Sequence, residues 1–202
     1  MLKNISVSTK GFAAFAILAF IAIGASSLIY MRALTAHELG RNSQTMASLL
    51  AETAGLNADA SQANLQVKNF LLTGNREFVG AYEQTSAAID ARFSKLEGLY
   101  AKHAASESPV LGEAAAVLGE WRTSVVERQI RLMRDPMTVE LARVLELTGE
   151  GRALLAEFGS KVGALIGSIQ RKSASASSEQ MSALSAVETI SLVASIIVAL
   201  VA

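Results

Sequence analysis

The sequence has no cysteine, only two prolines in 202 residues, and just 5% aromatic residues. Without cysteine there is neither a disulfide framework nor a thiolate to hold a metal or attach a haem. Scarcity of proline, with alanine, serine, leucine, glutamate and arginine dominant, favours long helices over a sheet, so the expected fold class is all-α. An excess of one charge is also missing. Eighteen basic residues balance eighteen acidic ones, which leaves no strong field to gather nucleic acid, and no nucleic-acid partner is expected. The two histidines, His37 and His103, belong to no Glu-x-x-His pair or other ligand spacing, and both read as surface residues. No phosphate loop, dinucleotide fingerprint or Gly-x-Ser-x-Gly elbow occurs. Gly149-Glu150-Gly151 begins like a glycine-rich loop, but no strand precedes it. No catalytic residue, metal ligand or cofactor is therefore expected, and the chain does not read as an enzyme.

The sequence does have two apolar ends. From Gly11 to Met31 no residue is charged, a length of helix that spans about 30 Å of hydrocarbon. Lys3 and Lys10 precede it with no acidic residue, which places residues 1–10 in the cytoplasm and the chain beyond Met31 outside. A cleavable signal peptide is the competing reading, since Ala22 and Gly24 have the spacing of a cleavage site. The apolar run continues past them through Leu28, Ile29 and Tyr30 to Arg32, which is the outline of a retained anchor. After Glu188 every residue from Thr189 to Ala202 is apolar or a small hydroxyl. That stretch is short of a full span, and the expectation is a second membrane helix cut within its length.

Between the ends, residues 33–188 carry all the acidic residues and fifteen of the basic ones, the eighteen less Lys3, Lys10 and Arg32. Residues 32–188 thus read as one solvated domain. Its first helix carries Met46, Leu49, Leu50, Leu56, Leu65, Val67, Phe70 and Leu71 at helical spacing and ends at Thr73, with Gly74 as a left-handed cap. Asn75 can cap a second helix to about Ala104, with Phe78, Val79, Tyr82, Ile89, Phe93, Leu96, Leu99 and Tyr100 on its apolar stripe. Ser108-Pro109 reads as the cap and first turn of a third helix reaching about Arg134, and Asp135-Pro136 repeats that signal. Gly149 and Gly151 offer a break, making Thr138 to Leu147 a short helix or irregular turn and Gly151 to Glu188 the fourth long helix. Four helices with short turns predict an antiparallel up-down-up-down bundle, its first and last helices continuing into the transmembrane helices 11–31 and 189–202. The run Ser173 to Ser178 has the composition of a linker, but alanine's helix propensity and its flanks favour helix.

Arg128, Arg131 and Arg134 recur every third residue near the outer end of helix three, and Lys68 and Arg76 flank the first turn at that same end. Together these five could hold a carboxylate or phosphate through charge-assisted hydrogen bonds. The alternative is a solvated face paired with Glu127, Asp135 and Glu140. Trp121, the only tryptophan, reads as core.

The stretch Val67 to Tyr82, with Leu71-Leu72, Thr73-Gly74-Asn75, Phe78 and then Tyr82, resembles the signature of the third type of CHASE sensory domain. Trp121, the stretch from Arg128 to Pro136, and Gly149 to Leu155 are similar to that family's second half, and the likeness covers residues 35 to 185. Where members often have Asp and Ile-Arg in the last helix, this chain has Glu157 to Lys161. The resemblance implies a periplasmic four-helix bundle on a chemoreceptor, histidine kinase or cyclase in the bacterial inner membrane. The opening Met1 to Lys10 is similar to the start of many methyl-accepting chemotaxis proteins. Implied partners are the membrane, a second copy in a homodimer, and a small anionic ligand or a periplasmic binding protein, with a cytoplasmic signalling domain beyond residue 202. A ligand-free membrane-anchored helical scaffold is the rival from another class.

Overall fold

The computed structural model describes residues 7–201, and among them every regular element is helical. Helix α1 (Val7–Thr73) stops where the sequence supplies a residue that tolerates positive φ. Gly74 sits at φ 69°, and its N–H closes the last turn on the Phe70 carbonyl at 2.7 Å. The Thr73 hydroxyl donates to the Asn69 carbonyl at 2.7 Å and accepts the Asn75 N–H at 3.2 Å. Asn75 then does what its side chain predicts: Oδ1 accepts the Glu77 N–H at 3.0 Å, which starts α2 (Glu77–His103).

The next boundary differs from the expectation. A 3-10 turn at Ala105–Glu107 leads directly into α3 (Ser108–Glu120), so Ser108 lies in the first turn instead of capping it, and its hydroxyl has no partner. The rod then widens into a π-helical turn at Trp121–Val126 before α4 (Glu127–Leu132). Nor does Asp135-Pro136 open a helix. Asp135 Oδ1 takes the Met137 N–H at 2.9 Å, making a turn, and the Thr138 hydroxyl reaches back to the Leu132 carbonyl at 2.6 Å. The short helix expected there is α5 (Val139–Leu147), Gly149 adopts φ 82°, and α6 (Glu150–Val201) runs through the serine and alanine stretch without a break.

The chain divides into two compact units. One holds Met46–Lys172, and the other takes the remaining parts of α1 and α6. In the first, Leu49, Leu56, Ala60 and Ala63 of α1, Ile89, Leu96 and Tyr100 of α2, Leu111, Ala114 and Leu118 of α3, and Phe158, Val162, Leu165 and Ile169 of α6 form one buried cluster. Each stripe recurs at three or four residues, which keeps it on one helix face. Each buried Leu or Ile contributes about 1.5–3 kcal/mol relative to exposure.

Polar ties outside this core fix the register of neighbouring helices. Arg92 of α2 lies over Gly55 of α1, bonding Glu52 at 2.6 Å and Asp59 at 2.8 Å. Lys95 joins Glu52 at 2.6 Å, holding that carboxyl below the usual carboxylate range, and the Thr53 and Tyr100 hydroxyls meet at 3.0 Å. Between α3 and α6, Lys161 bonds Glu113 at 2.9 Å. At the 3-10 turn, Glu107 takes hydrogen bonds from Lys172 at 2.7 Å and the Ser168 hydroxyl at 2.6 Å. In each pair the residue numbers of one helix rise as those of the other fall, so the neighbours are antiparallel, the order a four-helix bundle requires.

In the second unit Ala36 and Ala176 are buried, and a methyl group on Gly40 would stand 3.2 Å from Gln180 Nε2. The expected cytoplasmic tail through Ser6, Ala202, and the side chains of Lys10, Ile17, Leu18, Ile21, Ile197, Val198, Leu200 and Val201 lie outside the described residues. Among the described residues, no helix is long and apolar enough to cross a membrane.

Burial raises the Glu107 carboxyl pKa, but the hydrogen bonds from Lys172, Ser168 and Ser106 outweigh it and bring the group down to about 2 from 4.5. A depressed folded-state pKa stabilises above the unfolded value and loses that contribution as pH falls through the folded one. Glu107→Gln should therefore be less stable than the parent at neutral pH. The difference, up to about 3 kcal/mol, should close between pH 4.5 and 2, as read by urea denaturation at stepped pH.

Candidate ligand site

Two adjoining grooves lie between α2 and α4. The larger, about 550 Å³, is lined by Tyr82, Glu83, Ser86, Ala87 and Asp90 of α2, by Arg122 of the π-turn, and by Glu127, Ile130, Arg131 and Arg134. The smaller, about 440 Å³, is lined by Phe70, Arg76, Val79, Gly80, Glu83, Ile130 and Arg134. Glu83, Ile130 and Arg134 border both.

The floor follows from core packing. Tyr82 is buried with its ring edge-on to Trp121, the centroids 6.3 Å apart and the planes at 70°. Trp121 is itself buried, as its sequence context predicts, at the start of the π-turn. A π-turn holds more residues than an α-turn and so changes the face that the following residues present. That turn intervenes between the stripe of α3 and the residues of α4 that border α2. Burial pushes the Tyr82 hydroxyl pKa up, so it stays a neutral donor and acceptor at the groove.

Of the five basic residues picked out by spacing, Arg76, Arg131 and Arg134 come together at the grooves. Arg128 does not line either. Residues three apart on a helix fall about 60° short of a full turn, so Arg128 lies about 120° around from Arg134. Lys68 pairs with Glu146 at 3.3 Å, beside a separate apolar groove with Leu71, Leu72 and Leu147. The expected neutralising pairs are also absent from the described residues. Glu140 binds Arg143 at 2.8 Å, and none of Arg76, Arg131, Arg134, Glu83 or Glu127 has an ion-pair partner within 4.0 Å.

Arg122, Glu83, Ser86, Ala87 and Asp90 were not among the residues picked out from the sequence. A signal was available, because Glu83, Ser86 and Asp90 recur at three and four residues and thus share one helix face. Arg122 is committed internally: Nη1 donates to Asp90 at 2.5 Å and Nη2 to the Ser86 carbonyl at 3.4 Å. Its buried Nε has no partner. Arginine keeps its charge at any ordinary pH, so the three free guanidinium groups can bind carboxylate or phosphate but offer no acid-base chemistry.

The signature residues from Leu71 to Tyr82 mostly build the α1–α2 reversal beside this site. Leu71 and Tyr82 are buried, Phe78 is half-buried, Leu72 is exposed, and Thr73, Gly74 and Asn75 make the turn itself.

Comparison with known families finds a match to the CHASE3 domain over residues 41–179, more than half of the chain. No curated protein and no solved structure matches it.

The division between committed and free arginines is testable by urea denaturation of single variants. Arg122→Ala should cost about 1–3 kcal/mol, because it strips the Asp90 and Ser86 contacts from a largely buried group. Arg131→Ala and Arg134→Ala should each change stability by less than about 0.5 kcal/mol.

Proposed function

The chain belongs to the CHASE3 family of extracellular sensory domains, which occur in receptors such as chemoreceptors, histidine kinases and cyclases, and from that membership we propose that it is the sensing portion of a bacterial chemoreceptor. Residues 11–31 and 189–202 are its inner-membrane segments, residues 32–188 its periplasmic four-helix sensor, and a cytoplasmic signalling domain lies beyond them. The observation that carries this reading is one of chain order. The sensor's first and last helices, α1 and α6, are the two that continue without a break towards the two apolar ends. The opening residues Met1 to Lys10, similar to those of methyl-accepting chemotaxis proteins, favour that output over a kinase or cyclase.

The ligand is a small anion held at Arg76, Arg131 and Arg134, whose charges have no ion-pair partner among the described residues. A periplasmic binding protein presenting an acidic surface would use the same groups. The receptor works as a homodimer paired along α1. Binding changes the position of α6 against α1, and it can do so only by the difference in ligand affinity between the two arrangements.

The absence of cysteine gives a clean test of topology, since any introduced thiol is unique. Ala101→Cys, on the exposed side of α2, should react with a membrane-impermeant maleimide in intact spheroplasts. Lys3→Cys should react only after permeabilisation. Equal labelling of both without permeabilisation, or of neither, would remove the membrane reading.

A further inference from the structure

The two grooves adjoin, with Glu83, Ile130 and Arg134 bordering both of them. Their charges are not equivalent. In the larger groove Arg122 is held by Asp90, and Arg131 shares the wall with Glu127. In the smaller groove Arg76 has no acidic neighbour of its own beyond the shared Glu83, and its other lining includes Phe70, Val79 and Gly80. The boundary between the grooves therefore offers one cation and one anion, Arg134 and Glu83. Arg76, which lines only the smaller groove, offers a second cation there in company with Phe70, Val79 and Ile130. This is the charge image of a molecule with a carboxylate and an ammonium group at one end, a short methylene chain, and a second carboxylate at the other.

We propose that the ligand is an amino dicarboxylic acid, its amino-acid head held by Arg134 and Glu83 and its side-chain carboxylate by Arg76, with Val79, Phe70 and Ile130 against the methylenes. The assignment rests on the anion site proposed above and narrows it. A dicarboxylate lacking the amine would leave Glu83 without a counter-charge beside the head carboxylate. A neutral amino acid would leave Arg76 unmatched. Each charge-assisted hydrogen bond lost in such a comparison reduces affinity by about tenfold or more.

The experiment is calorimetric titration of the 202-residue chain in lipid nanodiscs with aspartate, glutamate, 2-aminoadipate, glutamine, glutarate and inorganic phosphate. One of the three amino dicarboxylates should bind at least about tenfold more tightly than glutamine and than glutarate. In Arg76→Gln the preference over glutamine should disappear while that over glutarate remains. In Glu83→Gln the preference over glutarate should disappear while that over glutamine remains. Both residues are exposed, so neither variant threatens the fold, and unfolding curves check this. These ligand-specific reversals would not follow from a structural role.

Equal binding of glutamine would overturn the Arg76 assignment, and equal or tighter binding of glutarate would overturn that of Glu83. Binding of phosphate but of no amino acid, abolished in Arg134→Gln, would overturn the proposal while leaving the anion site intact. If none of the six probes binds, the proposal and the anion site fall together.

Discussion

The packing of Trp121 is the constraint on which the sensor unit and its site both depend. The indole is buried at the start of the π-turn, its ring meets the edge of Tyr82 on α2, and Gly151 at the beginning of α6 leaves room for it. A methyl group at Gly151 would stand 3.1 Å from Val125 Cγ1 and 3.6 Å from Trp121 Nε1. Three elements therefore converge on one side chain. The same contact sets the floor of the larger groove, because Tyr82 meets Trp121 and also borders that groove. Loss of a large buried aromatic side chain costs about 3–5 kcal/mol in a core, but here it would also move the wall that Arg131 and Arg134 face.

Legibility in the sequence depends on where the physics is local. Gly74 and Gly149 announce their helix ends because left-handed backbone strongly favours glycine. Asn75 announces the start of α2 because its side chain can reach the Glu77 N–H from that one position. The core stripes are legible because burial imposes their period. Ser108 misled because the cap signal depends on the residues before it being extended, and Ala105–Glu107 instead winds into a 3-10 turn. Pro136 misled in the same way, since Asp135 can cap a turn as well as a helix. The π-turn has no residue signature at all. Its Trp121 and Val125 pack beside Gly151 of α6, a long-range contact, and it intervenes before the helix that carries Arg128 and Arg131. The spacing thus brought Arg131 and Arg134 to notice, but not which of their neighbours face α2.

The distribution of polar ties bears on how the unit could move. Going round the helices, α1 is bonded to α2 by Arg92, Lys95 and Tyr100, α2 to the π-turn by Arg122, and α3 with its preceding turn to α6 by Lys161, Lys172 and Ser168. Between α1 and α6 the described residues of this unit show no ion pair or side-chain hydrogen bond. One close approach across it is at Gly159, where an added methyl group would stand 3.9 Å from Asn57 Oδ1. Directional bonds resist displacement over a few tenths of an ångström, whereas apolar contacts can be exchanged for similar ones. Of the four faces, the α1–α6 seam is thus the one where displacement breaks no specific bond.

On the receptor reading, this asymmetry constrains the route from site to output. The grooves touch the end of α1 at Phe70, α2, the π-turn and α4, and not α6. A ligand that draws α2 and α4 together must therefore act on α6 through what connects them: the Trp121 and Val125 contact with Gly151 at one end of α6, and the Glu113 and Glu107 ties further along it. Glu107 is the stiffest of these, with three polar contacts on a carboxylate held well below its usual pKa. If α6 is to shift against α1, it moves together with α3 and the α2–α3 turn, and not alone. The moving body would then be the half that carries Arg131 and Arg134, free along the α1–α6 seam but tethered to α2 by Arg122 and to the end of α1 by the Lys68–Glu146 pair and the Arg143 bond to the Leu71 carbonyl.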